Sequence, residues 1–245
     1  MRTTVHYIPI LTTVVAAAFA ATIFARYRKR GGHHLLWWGI GMVTYGLGTI
    51  TESLTTLFGW HEPVFRLWYI TGALLGGAPL AQGTIYLLLS RRTAHRLAAA
   101  LVSVIVVASL AVLLAPVDHA KVETFRLSGR VFGWQWVRAF SPFINLYSAG
   151  FLIGGAILSA LRYRRIADSG RRALGNLAIA AGALLPGIGG SFTRFGHVEV
   201  LYVTEFLGLL LIFLGYRLNT AAAAPSIHPA LADTPPPWPG PRAAA

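Results

Sequence analysis

The sequence predicts an all-α polytopic membrane protein with seven transmembrane helices, and three observations carry that prediction. Seven apolar stretches of about 20 residues recur along the chain, the length an α-helix needs to cross a ~30 Å hydrocarbon core. Of the 245 residues, 55% are hydrophobic and only 12% charged, with a mean hydropathy of +0.60. A soluble domain carries about twice that charged fraction. The basic residues gather in the gaps after alternate apolar stretches, as the loops of a membrane protein do.

The first span is Tyr7–Ala25. Its apolar run is longer than a signal peptide's, and the basic cluster Arg26, Arg28, Lys29 and Arg30 follows rather than precedes it, so an uncleaved helix is expected. The next spans are Leu35–Phe58, Phe65–Leu89 and Leu97–Ala115. The last three are Pro142–Leu161, Ala173–Phe192 and Val198–Tyr216. Residues 1–219 thus form one transmembrane domain, and the Ala- and Pro-rich residues 220–245 form a cytoplasmic tail expected to be disordered, because they lack the aliphatic side chains that build a core. Between spans four and five, Val131 to Val137 alternates aromatic and polar residues, which predicts a segment lying on the outer membrane surface, or a lid over the outer mouth.

Arg91, Arg92 and Arg96, and Arg162, Arg164, Arg165, Arg171 and Arg172, join the first basic cluster on one side of the membrane. The positive-inside rule then places the N-terminus outside and the C-terminus in the cytoplasm of a plasma (inner) membrane. Trp37 and Trp38 are expected at the inner interface, and Trp60, Trp68 and Tyr69 at the outer one. The net charge of +13 sits beside apolar spans. The bilayer is therefore the expected partner and nucleic acid is not, with a small polar solute and a membrane-protein partner or second copy as further candidates. Cysteine is absent, which excludes disulfides and thiolate metal sites.

Spans one to three and five to seven echo each other. Arg26-Tyr27-Arg28 matches Arg162-Tyr163-Arg164, and the spacing of Gly41, Gly46 and Gly48 matches that of Gly182, Gly187 and Gly189. Leu67-Trp68-Tyr69-Ile70-Thr71 is similar to Val200-Leu201-Tyr202-Val203-Thr204. The fourth span, aliphatic apart from Ser103 and Ser109, reads as a lipid-facing linker. This 3+1+3 arrangement resembles the parallel-repeat transporters of the SWEET type, although their proline–glutamine signature is missing. Seven-helix rhodopsin-like proteins offer a second analogy, but the seventh span has no lysine for a retinal Schiff base.

Glu52 and Glu205 are the residues with most to say about function. A carboxylate at the centre of a transmembrane helix costs roughly 2.5–3.5 kcal/mol on insertion scales, so it faces the bundle interior and has a partner or a task. Glu52 lies about 8 Å, and Glu205 about 4 Å, beyond the midplane on the same side at 1.5 Å per residue. Arg66 and Arg194 occupy the outer ends of spans three and six, and Tyr45, Tyr69 and Tyr202 supply hydroxyls. Together these seven residues form the candidate binding network, with a purely structural ion pair as the alternative role. Asn145, Ser148, Ser159 and Asn176 read as polar contacts between helices. Pro79 and Pro186, each beside glycines, mark kinks or broken helices.

His61, His119 and His197 lie beside Glu62, Asp118 and Glu199 at loop edges, but none has the i, i+4 partner that metal binding on a helix uses. No span places a histidine at haem depth, and phosphate-loop, nucleophile-elbow and HExxH patterns are absent. No metal or cofactor is expected. The function expected first is a small-solute transporter or permease. A membrane sensor or accessory subunit is second, and an intramembrane lipid-modifying enzyme third. The orientation is testable directly because the chain has no native cysteine. With Arg91→Cys and Lys121→Cys made separately, an impermeant thiol reagent added to intact cells should label position 121 and not 91. The reverse pattern would defeat the orientation.

Overall fold

The structure, a computed structural model, describes residues 4–166, 169–193 and 195–221. Eight α-helices carry the chain back and forth: α1 (Ile8–Arg30), α2 (His33–Phe58), α3 (Glu62–Trp68), α4 (Ala78–Leu88), α5 (Arg91–Leu114), α6 (Phe140–Arg164), α7 (Gly170–Thr193) and α8 (Val198–Ala221). The protein is an all-α polytopic bundle. Six spans are long and apolar enough to cross a membrane, α3 and α4 together making one of them, Glu62–Leu88. The remaining helix, α2, has 26 residues, about 39 Å at 1.5 Å per residue, and its glycines, threonines and Glu52 lower its hydropathy. Eleven of its residues are buried, so protein rather than lipid surrounds much of it. The helix α8 runs through Ala221, past the start of the expected tail, and residues 222–245 lie outside the described residues.

The third span is not one helix. After Trp68 the backbone widens into a π-helical turn, Tyr69–Leu74, in which Leu75 N donates to Ile70 O at 3.0 Å. A bend at Leu75, Gly76 and Gly77 follows, and Pro79 then stands in the first turn of α4. There its missing N–H costs no helical bond, so Pro79 starts a helix rather than kinking one. The break leaves carbonyls without helical partners, and α6 supplies them. Ser141 Oγ and Asn145 Nδ2 donate to Ala73 O at 2.8 and 3.3 Å. Pro186, by contrast, stays inside the continuous helix α7.

The neighbours form a ring. Helix α2 packs on α1 and on the α3–α4 span; α7 packs on α6 and α8; α4 meets α6, and α1 meets α8. Exchanging the first three spans for the last three maps this ring onto itself, as the repeat requires, and a sequential ring of helices has the same order. The glycines carry the finer correspondence. A Cβ at Gly48 would lie 3.1 Å from Gly72 beside Thr71, and one at its counterpart Gly189 would lie 2.0 Å from Thr204 Oγ1, in the segment that echoes Thr71. Helix α5 touches the rest least, which fits its expected place beside the lipid.

The closest seam joins α7 and α8. Gly175, Gly182 and Gly189 recur every seventh residue, facing Gly215, Gly208 and Leu201. Cβ atoms at Gly182 or Gly208 would sit 2.5 or 2.6 Å from the opposite backbone carbonyl, and the Pro186 ring rests against Gly208. Small residues let membrane helices approach this closely.

At the end opposite the arginine clusters, residues 116–139 fold down onto the helices. Gly133 N donates to Pro116 O and Asp118 N to Val131 O, both at 2.8 Å, which pins the two arms of the loop together. Val131, Phe132 and Val137 are buried against Phe65, Tyr69 and Val112, while Trp134 and Trp136 stack on each other and stay exposed. The segment expected on the membrane surface therefore anchors in protein through every aliphatic residue it has. Arg126 reaches Thr193 O at 2.7 Å, and Phe125 and Thr124 lie over Gly59, so the loop links the ends of α2 and α7. Lys121 beside Asp118 holds that exposed carboxyl below its usual range.

The glycine seam makes a quantitative prediction. Gly182→Leu or Gly208→Leu should cost at least about 1–3 kcal/mol of overpacking and lower the thermal midpoint in detergent by several degrees. Circular dichroism melting measures it, and an unchanged midpoint would contradict the close approach.

Candidate functional site

The second half of α2 is rich in hydroxyls, and the helix satisfies most of them itself. Thr51 donates to Gly48 O, Ser53 to Thr49 O at 2.8 Å, and Thr55 to Thr51 O at 2.9 Å. That leaves Glu52 and Thr56 as the residues of this stretch that need partners from elsewhere. Glu52 is 4% exposed. Its Oε1 accepts a hydrogen bond from Trp68 Nε1 at 3.1 Å. Its Oε2 is buried and receives no bond from a protein N–H or hydroxyl. The Glu205 carboxyl faces the Glu52 carboxyl from α8.

An ionised carboxylate only accepts hydrogen bonds, so two carboxyls bond to each other only when one carries a proton. A proton held between the two carboxyls would give Oε2 a partner. Two unit negative charges held together away from water would repel strongly, which argues the same way.

Helix α8 delivers Glu205 one turn after the buried Tyr202 and one turn before the buried Leu209, on its inward face. Glu205 is half-buried. Tyr45, two turns before Glu52 on α2, donates from its hydroxyl to the Glu205 backbone carbonyl at 3.0 Å and ties the two helices together. The Tyr202 hydroxyl approaches Thr56 on α2, and the His6 ring meets Tyr202 edge-on, 6.1 Å between centroids. His6 Nε2 also lies 3.7 Å from Glu199 Oε1.

Of the seven residues expected at the site, Glu52, Glu205, Tyr45 and Tyr202 come together. Arg66 does not join them. Its guanidinium bonds to Glu62, at 2.7 and 2.9 Å, and to the carbonyls of Val112, Leu113 and Ala115. The last turn of a helix leaves carbonyls unbonded, and a cation there also opposes the helix dipole, so Arg66 is held by the end of α5. Tyr69 is buried in the outer cluster, edge-on to Phe132 at 4.8 Å. Successive helical residues point about 100° apart, so with Trp68 facing Glu52 its neighbour Tyr69 must face away. Arg194 lies outside the described residues. The described part of the expected network is thus two carboxyls with a tryptophan donor, and Arg66 and Tyr69 lie apart from it. Among the described residues no arginine or lysine bonds to either carboxyl.

Trp68 is the site residue that sequence reasoning missed, having been expected at the interface. A signal for it exists. Trp68 and Gly72 share a face at i, i+4, as do Gly48 and Glu52, and the two segments run antiparallel with Gly48 against Gly72. Closing the glycines brings Trp68 to Glu52. Trp38, near the start of α2, donates to Leu80 O at 3.1 Å and packs over Gly83.

A cavity of about 620 Å³ opens at the other, arginine-rich end of the bundle. Its floor includes Phe19, Leu80 and Leu152, which with Ala16, Met42 and Leu209 form an apolar layer between it and Tyr45. Among the described residues no three His, Asp or Glu side chains gather as a metal site would require. No protein-family model, characterised protein or solved structure matches this chain.

Trp68→Phe keeps the ring packing and removes the donor to Glu52 Oε1. It should cost about 1–3 kcal/mol, the penalty of an unmet buried acceptor, read as a lower thermal midpoint. Combined with Glu52→Leu, the same change should cost much less, because the acceptor has gone; equal costs in both backgrounds would show that the bond contributes nothing.

Proposed function

We propose that this protein is a transporter of a small polar solute in the plasma (inner) membrane, with its N-terminus outside, and that the Glu52–Glu205 pair carries the coupling proton. The single observation that supports this most is the pair itself: two carboxyls brought together from different helices, with no basic partner among the described residues. Intramembrane carboxyls of this kind mark proton and solute pathways. A structural ion pair would have held a cation instead.

The surroundings support the same reading. The loop of residues 116–139 closes over the ends of α2 and α7 beyond the pair, while a cavity opens toward it from the basic end and stops at one apolar layer. On the positive-inside orientation this is an inward-open arrangement. The break at Gly76-Gly77 between the π turn and α4 lies in the span that carries Trp68, so rotation of one half-helix would change the contact to Glu52. Transporters commonly place such breaks beside their sites.

One observation favours a second reading, a sensor or accessory subunit: the cavity does not cross the bundle. Proteoliposomes containing a pH-sensitive dye separate the two. Solutes from the amino acid, sugar and amine classes are added in turn. Transport predicts solute-dependent proton movement with at least one class, lost in Glu52→Gln and Glu205→Gln while their thermal midpoints stay within a few degrees. Proton movement that survives both changes would refute the role of the pair. A collapse in stability of several kcal/mol in either variant would make it structural.

A further inference from the structure

We propose that the cavity at the arginine-rich end is a binding site for an anionic amphiphile, one hydrocarbon chain bearing a phosphate or carboxylate head. The inference needs only the cavity and stands independently of transport. At about 620 Å³ the cavity lies within the ~300–1,000 Å³ range of small-molecule sites. Its depth is lined by Phe19, Ile23, Leu80, Leu152 and Ile212, drawn from four helices. Its polar side chains collect at the mouth, where α6 ends and α7 begins: Arg162, Arg172, Asn176 and, from α8, Asn219.

Among the described residues that line it, none is acidic. A smaller cavity of about 150 Å³ shares Trp38, Ile179, Tyr216 and Asn219 with it and adds Arg26 and His34. Cationic groups from α1, α6 and α7 thus converge on one rim. Arg172 is already oriented there, its guanidinium 5.5 Å from the centre of the Tyr163 ring. A guanidinium offers paired N–H donors to phosphate or carboxylate oxygens, and the amides of Asn176 and Asn219 add further donors.

This division of labour selects the ligand class. A fully polar anion would leave the apolar depth wet, and an uncharged lipid would make no use of the positive charge at the mouth. A molecule with an anionic head at the membrane surface and a chain reaching inward satisfies both ends. Basic pockets between helices on the cytoplasmic side bind lipid head groups for the same reason.

The test uses the purified full chain in a neutral maltoside detergent, which serves as the uncharged amphiphile in excess. Dodecyl phosphate should raise the thermal midpoint saturably above that background, and inorganic phosphate should not. Arg162→Gln with Arg172→Gln should weaken dodecyl phosphate at least about tenfold. Ser159→Trp, which fills the cavity from the α6 wall, should abolish the response. Repeating the titration in nanodiscs of phosphatidylglycerol and of phosphatidylcholine identifies the source: weaker apparent binding in the acidic discs means a bilayer lipid holds the site, and equal binding means a soluble amphiphile. Either result upholds the site. No saturable effect, an effect untouched by both the arginine and the cavity-filling variants, or an equal effect of inorganic phosphate would overturn the proposal.

Discussion

A carboxyl group placed in hydrocarbon has no water to turn to, and much of this bundle is arranged around meeting that demand for Glu52. Its partners come from two other spans, Trp68 from the third and Glu205 from the last. One of these spans follows α2 directly and the other is the last in the chain, so satisfying one side chain fixes how three spans meet. Tyr45 adds a bond in the reverse direction, from α2 to the backbone of α8. The arrangement works only if the backbones come close, and glycine allows it: Gly48 against Gly72 sets the separation at which an indole can reach the carboxyl.

The same constraint acts on the backbone. The π turn and bend in the third span interrupt the helical ladder, and in lipid an exposed carbonyl there would cost several kcal/mol. Ser141 and Asn145 of α6 remove that penalty by donating to Ala73. The broken span is therefore held between two polar contacts, α2 on one side through Trp68 and α6 on the other. Such a segment has a second set of partners within one helical turn, which is a sensible place for a moving part. The carboxyl pair breaks the internal repeat: by the glycine and threonine correspondences Glu205 matches Gly72 and Glu52 matches Thr193, so neither carboxyl has an acidic counterpart.

Much of the frame was legible in the residues. Helix positions followed from apolar length, and the helices run a turn or so beyond the predicted spans because hydrophobicity ends at the lipid while hydrogen bonding continues. Glu52, Glu205, Tyr45 and Tyr202 were legible as well, because a polar residue in an apolar span announces itself. What composition does not reveal is which of several possible partners a side chain takes. Arg66 had two choices, a carboxylate in the bundle and the bare carbonyls ending α5, and the outcome depends on where α5 ends in space. Trp68 was hidden by its chemistry: tryptophan near a span end is ordinarily interfacial, and only the antiparallel glycine register shows that it points inward. The cavity at the basic end was invisible for a different reason, since empty volume between helices is a property of packing and has no residue of its own.

The account rests on one proton shared between two carboxyls, and infrared spectroscopy reads it directly. At neutral pH, protein reconstituted in lipid should show the carbonyl stretch of a protonated, hydrogen-bonded carboxylic acid, shifting on exchange into heavy water. The double substitution Glu52→Gln, Glu205→Gln should remove that band. A neutral-pH spectrum in which the double substitution removes only carboxylate bands would mean that both groups are ionised, and would contradict the carboxyl pair on which the functional reading depends.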